Sequence, residues 1–183
     1  MKIFEETLPN TWRSTECFID GIDNDIFSDT CIDKHDINRD LIVLWGDSLA
    51  AHLFPGFLQQ QKIAKSINIA QFSTSSCPPV IGFESLQRPL CKKINSQVFQ
   101  KIIKLKPKIV ILSADWYNYP QDKIFLNKLQ DTISFLKTQG GGMINIILIG
   151  TFPRWSDPLP RKLFNISKEN YYDVPTRLEA LNT

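Results

Sequence analysis

A serine that attacks an ester needs a turn that exposes it and N–H groups that hold the developing oxyanion. It also needs a base within hydrogen-bond reach and a partner that orients the base. Ser48 meets the first two requirements. It lies in Leu41-Ile42-Val43-Leu44-Trp45-Gly46-Asp47-Ser48-Leu49-Ala50-Ala51-His52-Leu53-Phe54-Pro55-Gly56. Leu41–Trp45 is apolar and too short for a helix, so it reads as a buried strand. Gly46 permits a tight turn, Asp47 and Ser48 are good helix-capping types, and Leu49–Leu53 continues as a helix. The serine is therefore expected at the edge of a sheet, beside the free N–H groups and positive dipole end of a helix.

The base is harder to find. The chain has two histidines, His35 and His52. His35 lies in a polar stretch and is assigned to the surface. His52 follows Ser48 by four residues on the same helical face, so it points along its own helix, and packing or capping is its expected role. The four cysteines form no CxxC and complete no zinc pattern with the histidines, so no metal site is expected. Asp20–Asp33 lacks the regular ligands of a calcium loop, and Gly140-Gly141-Gly142 is followed by no Gly-Lys-Ser/Thr phosphate loop.

The elements that must position Ser48 alternate between strand and helix. After the helix from Leu49 to about Ala64, which Pro55-Gly56 is expected to break or kink, comes a second strand, Ile67–Phe72. A long rigid loop, Ser73–Gly82, follows. Ile94–Leu105 carries a helical apolar stripe, and Lys108–Ser113 is a third strand, apolar throughout. Lys123–Leu136 is an amphipathic helix, and Met143–Gly150 a fourth strand. Thr151–Trp155 then falls at the sheet edge where open α/β sheets bind ligands, which makes Arg154 and Trp155 candidate substrate contacts. Residues 163–183 are polar, with a helical tendency over Val174–Leu181. This order predicts a flavodoxin-like, doubly wound parallel sheet in a three-layer α/β/α sandwich. Residues 1–40 read as an irregular, acidic lead-in, and residues 41–183 as the domain proper.

Gly46-Asp47-Ser48-Leu49, with the strand before it and Ala-Ala-His-Leu-Phe-Pro-Gly after it, resembles the first block of the GDSL/SGNH esterases and acyltransferases. It is most similar to the SGNH domains fused behind acyltransferase-3 membrane domains in bacterial O-acetyltransferases, which usually have His where this chain has Leu49. The resemblance covers roughly residues 15–155. It implies that Ser48 is a nucleophile whose own N–H serves the oxyanion. A second oxyanion N–H is implied after the second strand, from Gly82 or from a residue of Ser73–Ser76. The Gly-x-Asn-Asp block of these enzymes is absent after the third strand. Trp116 and Tyr119 instead match the Trp-x-x-Tyr of the fused subgroup, either as an acceptor-sugar pocket or as structural residues. Asn118 and Asp115 are nearby. The Asp-x-x-His block that supplies the base is missing, so the sheet is expected to lack its last strand and the chain to be an inactive piece of a larger protein.

The cysteine spacing, fourteen for Cys17 and Cys31 and again for Cys77 and Cys91, favours two local disulfides, although four cysteines allow three pairings. The fused SGNH domains are similar in having cysteines before the serine strand and in a Ser-Cys-Pro-Pro segment. Disulfides imply an oxidising compartment, the bacterial periplasm. No apolar run reaches the ~20 residues of a membrane span. A net charge of +2 gives no reason to expect nucleic acid, and the lysines at 101, 104, 106 and 108 read as a solvated helix face. The partners implied by resemblance are an acyl donor, a cell-surface glycan acceptor such as lipopolysaccharide O-antigen, and a membrane acyltransferase domain, with no cofactor. Two other classes fit the same fold: a non-catalytic glycan-binding module using Trp116, Tyr119 and Trp155, and a flavin-binding domain.

Overall fold

The computed structural model describes residues 11–33 and 38–152. Five parallel strands form its sheet: β1 (Phe18–Ile19), β2 (Asp40–Gly46), β3 (Ile67–Thr74), β4 (Ile109–Ser113) and β5 (Asn145–Ile149). They lie in the order β1-β3-β2-β4-β5. The crossovers are α1 (Ser48–Ala64), α2 (Cys91–Leu105) and α3 (Lys123–Gln139). This is the doubly wound α/β architecture that the strand–helix alternation requires.

Alternation along the strands sets the layers. Val43, Trp45, Ala70, Phe72, Val110 and Leu112 face one side, against Ile94, Val98 and Ile102 of α2 and Leu136 of α3. Ile42, Leu44, Ile69 and Ile111 face the other, against Ala50 and Phe54 of α1. Both faces of β2, β3 and β4 are thus covered, as a parallel sheet requires. β5 differs. Its neighbouring residues Ile147 and Leu148 point to opposite faces, yet both are nearly half exposed. Among the described residues no strand pairs with its outer edge.

Two elements depart from the sequence expectation. Helix α1 runs unbroken through Pro55. Ala50, Ala51 and Phe54 are buried before the proline and Gln61 after it, and this packing on both sides outweighs the local cost of ~3 kcal/mol. The lead-in is also less irregular than its composition suggests. Phe18 and Ile19 add a short parallel strand to β3, in register with Ser73 and Thr74.

Cys17 pairs with Cys31, and Cys77 with Cys91. In the chain-entropy view each bond contributes ~3 kcal/mol by restricting the unfolded chain. Arg88, inside the second loop and 1% exposed, joins it to the first. Its guanidinium donates to the carbonyls of Ile19, Asp20 and Asn24. A second buried network works at the lead-in's other end. Gln71 donates to the Trp12 carbonyl and the Ser73 hydroxyl, and receives Arg13 Nε. The lead-in is thereby fastened to β3 through Gln71 and to the loop after β3 through Arg88.

Candidate active site

In an open sheet, ligands bind outside the carboxyl ends of the strands where the winding reverses. From β2 the chain moves to β3 on one side, then crosses back to β4 on the other. The reversal lies between β2 and β4, where the register pairs Gly46 with Ser113. The loops leaving these two strands carry Asp47-Ser48 and Asp115–Tyr119.

Gly46 is fixed by steric contact. A Cβ there would sit 1.7 Å from the Ser113 carbonyl oxygen and 2.9 Å from the Ala50 Cβ. The chain then turns at once. The Asp47 N–H donates to the Ser113 carbonyl at 3.3 Å, and Ser48 becomes the first residue of α1. Helix starts leave their first N–H groups without intrahelical partners, and among the described residues the Ser48 N–H has no acceptor.

Asp47 is the knot of the site, at 2% exposure. Its Oδ1 accepts the Leu49 N–H at 2.8 Å, capping α1. Its Oδ2 accepts the Asp115 N–H and the Tyr119 hydroxyl, each at 2.8 Å. One carboxylate therefore ties the serine turn to the loop after β4. Burial raises its pKa, and outweighs the hydrogen bonds that favour the charged form. The Tyr119 hydroxyl is also pushed up, first by burial and then by the facing Asp47 charge. It remains a donor throughout the physiological range. Tyr119→Phe deletes one charge-assisted bond and leaves a carboxylate oxygen with one fewer donor. The expected cost is ~2 kcal/mol in urea unfolding, and a loss below ~0.5 kcal/mol would show that the bond does not hold the loop.

The other candidates fall around this knot. Trp116 is buried, and its indole N–H donates to the Ile149 carbonyl at 2.6 Å. It joins the β4 loop to β5. Asn118 spends its amide on the Asp115 carboxylate, at 2.7 Å. Gly82 has a left-handed φ of 74°, and its carbonyl accepts Lys128 Nζ at 2.7 Å. Next to it, Phe83 packs edge-on to Tyr119 and Phe125. Phe83, the residue after Gly82, thus shares one aromatic cluster with Tyr119, and Tyr119 reaches on to Asp47. Of Ser73–Ser76, the N–H groups of Ser73 and Ser75 are given to the carbonyls of Cys17 and Ile19. Arg154 and Trp155 lie outside the described residues.

His52 does not serve as a base in this arrangement. Its Nδ1 lies 2.8 Å from the Ser48 carbonyl oxygen. A carbonyl only accepts, so Nδ1 carries the proton and donates it. The ring is pinned against Trp12, with centroids 4.0 Å apart. Among the described residues no base is hydrogen-bonded to the Ser48 hydroxyl.

Asn95 was not anticipated from the sequence. Fully buried in α2, it donates to the Pro78 and Val80 carbonyls and receives the Trp45 indole N–H. It fixes the loop that leads to Gly82. The available signal was a polar residue within the apolar face 94, 98, 99 and 102.

Residues 16–180 match the family model of the SGNH domain fused to AT3 domains. Among solved structures, the periplasmic domain of the Salmonella ser. Paratyphi A lipopolysaccharide acetyltransferase shares the fold. The TM-score is 0.75 at 24% identity, over 91% of this chain and 64% of that one. The chain spans less than two thirds of that structure's length. No curated protein matches it.

Proposed function

The chain belongs to the family of SGNH domains fused to AT3 domains, and from that premise we propose that it is an acyl-transfer domain with Ser48 as nucleophile. The observation that carries this reading is the placement of Ser48. It is the first residue of α1 at the carboxyl end of the central strand, its turn locked by Asp47. Ser48 Oγ attacks the carbonyl carbon of an acyl ester and forms a C–O bond. The Ser48 N–H holds the oxyanion, with a second N–H from the Gly82 loop. The donor alcohol departs with a proton, and a glycan hydroxyl takes the acyl group in a second step. The structural neighbour is a lipopolysaccharide acetyltransferase domain, which favours acetyl as the acyl group and a surface glycan such as O-antigen as acceptor. An AT3 membrane domain is the partner, and two disulfides favour the periplasm as the setting.

Ser48 needs a base, and the 183 residues hold no Asp-x-x-His. The chain alone therefore has little or no esterase activity. A base of the right kind contributes about 10²–10⁴-fold, so free imidazole can stand in for it. Incubation with an activated acetyl ester and imidazole should place acetyl on Ser48, read by peptide mass mapping. Without imidazole, Ser48 should stay unlabelled. Equal labelling of the same peptide in Ser48→Ala would reject Ser48 as nucleophile. Turnover by the chain alone, abolished by Ser48→Ala, would reject the need for an outside base.

A non-catalytic sugar platform is the weaker reading. Trp116 is buried, and the Tyr119 hydroxyl is committed to Asp47.

A further inference from the structure

We propose that the edge of the sheet opposite Ser48 is a docking surface for an anionic phospholipid bilayer. This holds whether or not Ser48 is catalytic. The amino ends of the strands and the carboxyl ends of α1 and α2 meet there. Arg39 precedes β2, Lys62 and Lys65 end α1, and Lys106 follows α2. None of these four cations has an ion-pair partner among the described residues. At the same edge Lys108 is paired with Asp40, and on other elements Lys92 is paired with Glu84, Lys93 with Asp25 and Arg13 with Asp33, while Lys101, Lys104, Lys123 and Lys137 on α2 and α3 have no ion pair among the described residues either. Four cations without an ion-pair partner thus meet at this one edge.

Complementing the helix dipoles explains part of the pattern, since Lys62 stands in a last turn. It does not explain Arg39, which lies on no helix. Two hollows open on this edge and both are lined by Arg39. One, of about 450 Å³, is shared with Lys106 and Lys108 and with the carboxylates Asp33 and Asp40, which are paired with Arg13 and Lys108. The other, of about 430 Å³, is shared with Gln61, Lys62 and Lys65. Among the described residues, Arg39 Nε is buried without a hydrogen-bond partner, and so is Gln61 Oε1. A buried guanidinium N–H without an acceptor is a donor waiting for one, and a phosphate diester oxygen is its natural match. Met143, in the first hollow, is 77% exposed. Cations around an exposed apolar side chain are the composition of a surface that sits at a lipid headgroup layer, where charge attracts and the apolar group inserts. A free phosphate would use the arginine and leave Met143 without a role. The eight residues of β3 set the distance across the sheet, so the docked domain would hold Ser48 roughly 25 Å from this edge, facing away from that bilayer.

The test is sedimentation of the 183-residue chain with vesicles at low ionic strength. It should partition to equimolar phosphatidylglycerol and phosphatidylcholine, and not to phosphatidylcholine alone. Each charge near such a surface is worth about fivefold in partition. The triple variant Arg39→Gln, Lys62→Gln, Lys106→Gln should therefore bind about 100-fold more weakly. A matched variant, Lys92→Gln, Lys93→Gln, Lys123→Gln, should bind like the parent. Salt at about 0.5 M should release the parent. Equal losses in both variants, or equal binding to neutral vesicles, would overturn the proposal. So would no partition at any ionic strength. Displacement by inorganic phosphate at constant ionic strength would also overturn it, by showing a small-anion site in place of a membrane surface.

Discussion

Gly46→Ala is expected to destabilise the domain by about 3–5 kcal/mol and to disorder the Ser48 turn. The new methyl would lie 1.7 Å from the Ser113 oxygen, which is main chain and cannot swing aside. Relief requires β2 and β4 to separate at the pair that anchors the Asp47 N–H to Ser113. Overpacking in cores usually costs 1–3 kcal/mol, and more when backbone must move. In urea the midpoint should fall with the slope unchanged. A variant within 1 kcal/mol of the parent would show that the strands spread freely, and that the tight crossing is not what shapes the site.

Asp47→Ala is expected to cost about 3–7 kcal/mol by a different route. It removes the α1 cap, worth about 1 kcal/mol, and leaves the Asp115 N–H and the Tyr119 hydroxyl facing a cavity, at about 1–3 kcal/mol each. Asp47→Asn separates shape from charge. Its amide oxygen can still cap Leu49, while its NH2 opposes two donors, so a smaller loss of ~1–2 kcal/mol is expected. The pH dependence has a definite sign. The folded-state pKa of Asp47 is raised, so the folded protein binds the proton more tightly than the unfolded chain. This contribution is fully present below the ordinary carboxylate range and is lost as pH rises through the raised value. The parent should therefore lose stability relative to Asp47→Asn as pH rises through that window. A difference that is flat with pH, measured by thermal unfolding, would mean that Asp47 does not titrate as a buried acid.

Much of this architecture was legible in the sequence. The apolar runs of β2 and β4 are continuous because both sheet faces are covered, and such runs with intervening helical stripes leave little choice of fold. The position of Ser48 at the start of α1 was legible because strand, glycine and helix cap are local signals. Pro55 misled because its cost is local and its compensation is not: the burial of Ala50, Phe54 and Gln61 is tertiary. The double use of Asp47 was out of reach for the same reason. Capping could be read from its type, but its bonds to Asp115 and Tyr119 span 68 and 72 residues. Arg88 and Asn95 look like surface residues by type. Only the backbone carbonyls they meet make them structural.

The way the lead-in is fastened also orders the assembly of the domain in time. The hydrogen bonds that seat its described residues on the sheet reach far down the chain, to Ile69, Gln71, Ser73 and Ser75, and others go on to Arg88. These partners are synthesised after it, and contacts so distant in sequence form late because long loops must first close. The Cys17–Cys31 loop needs none of them and can close early. The first segment made is thus a latch and not a nucleus. It arrives already stapled and locks a sheet that β2, β3 and β4 have begun without it.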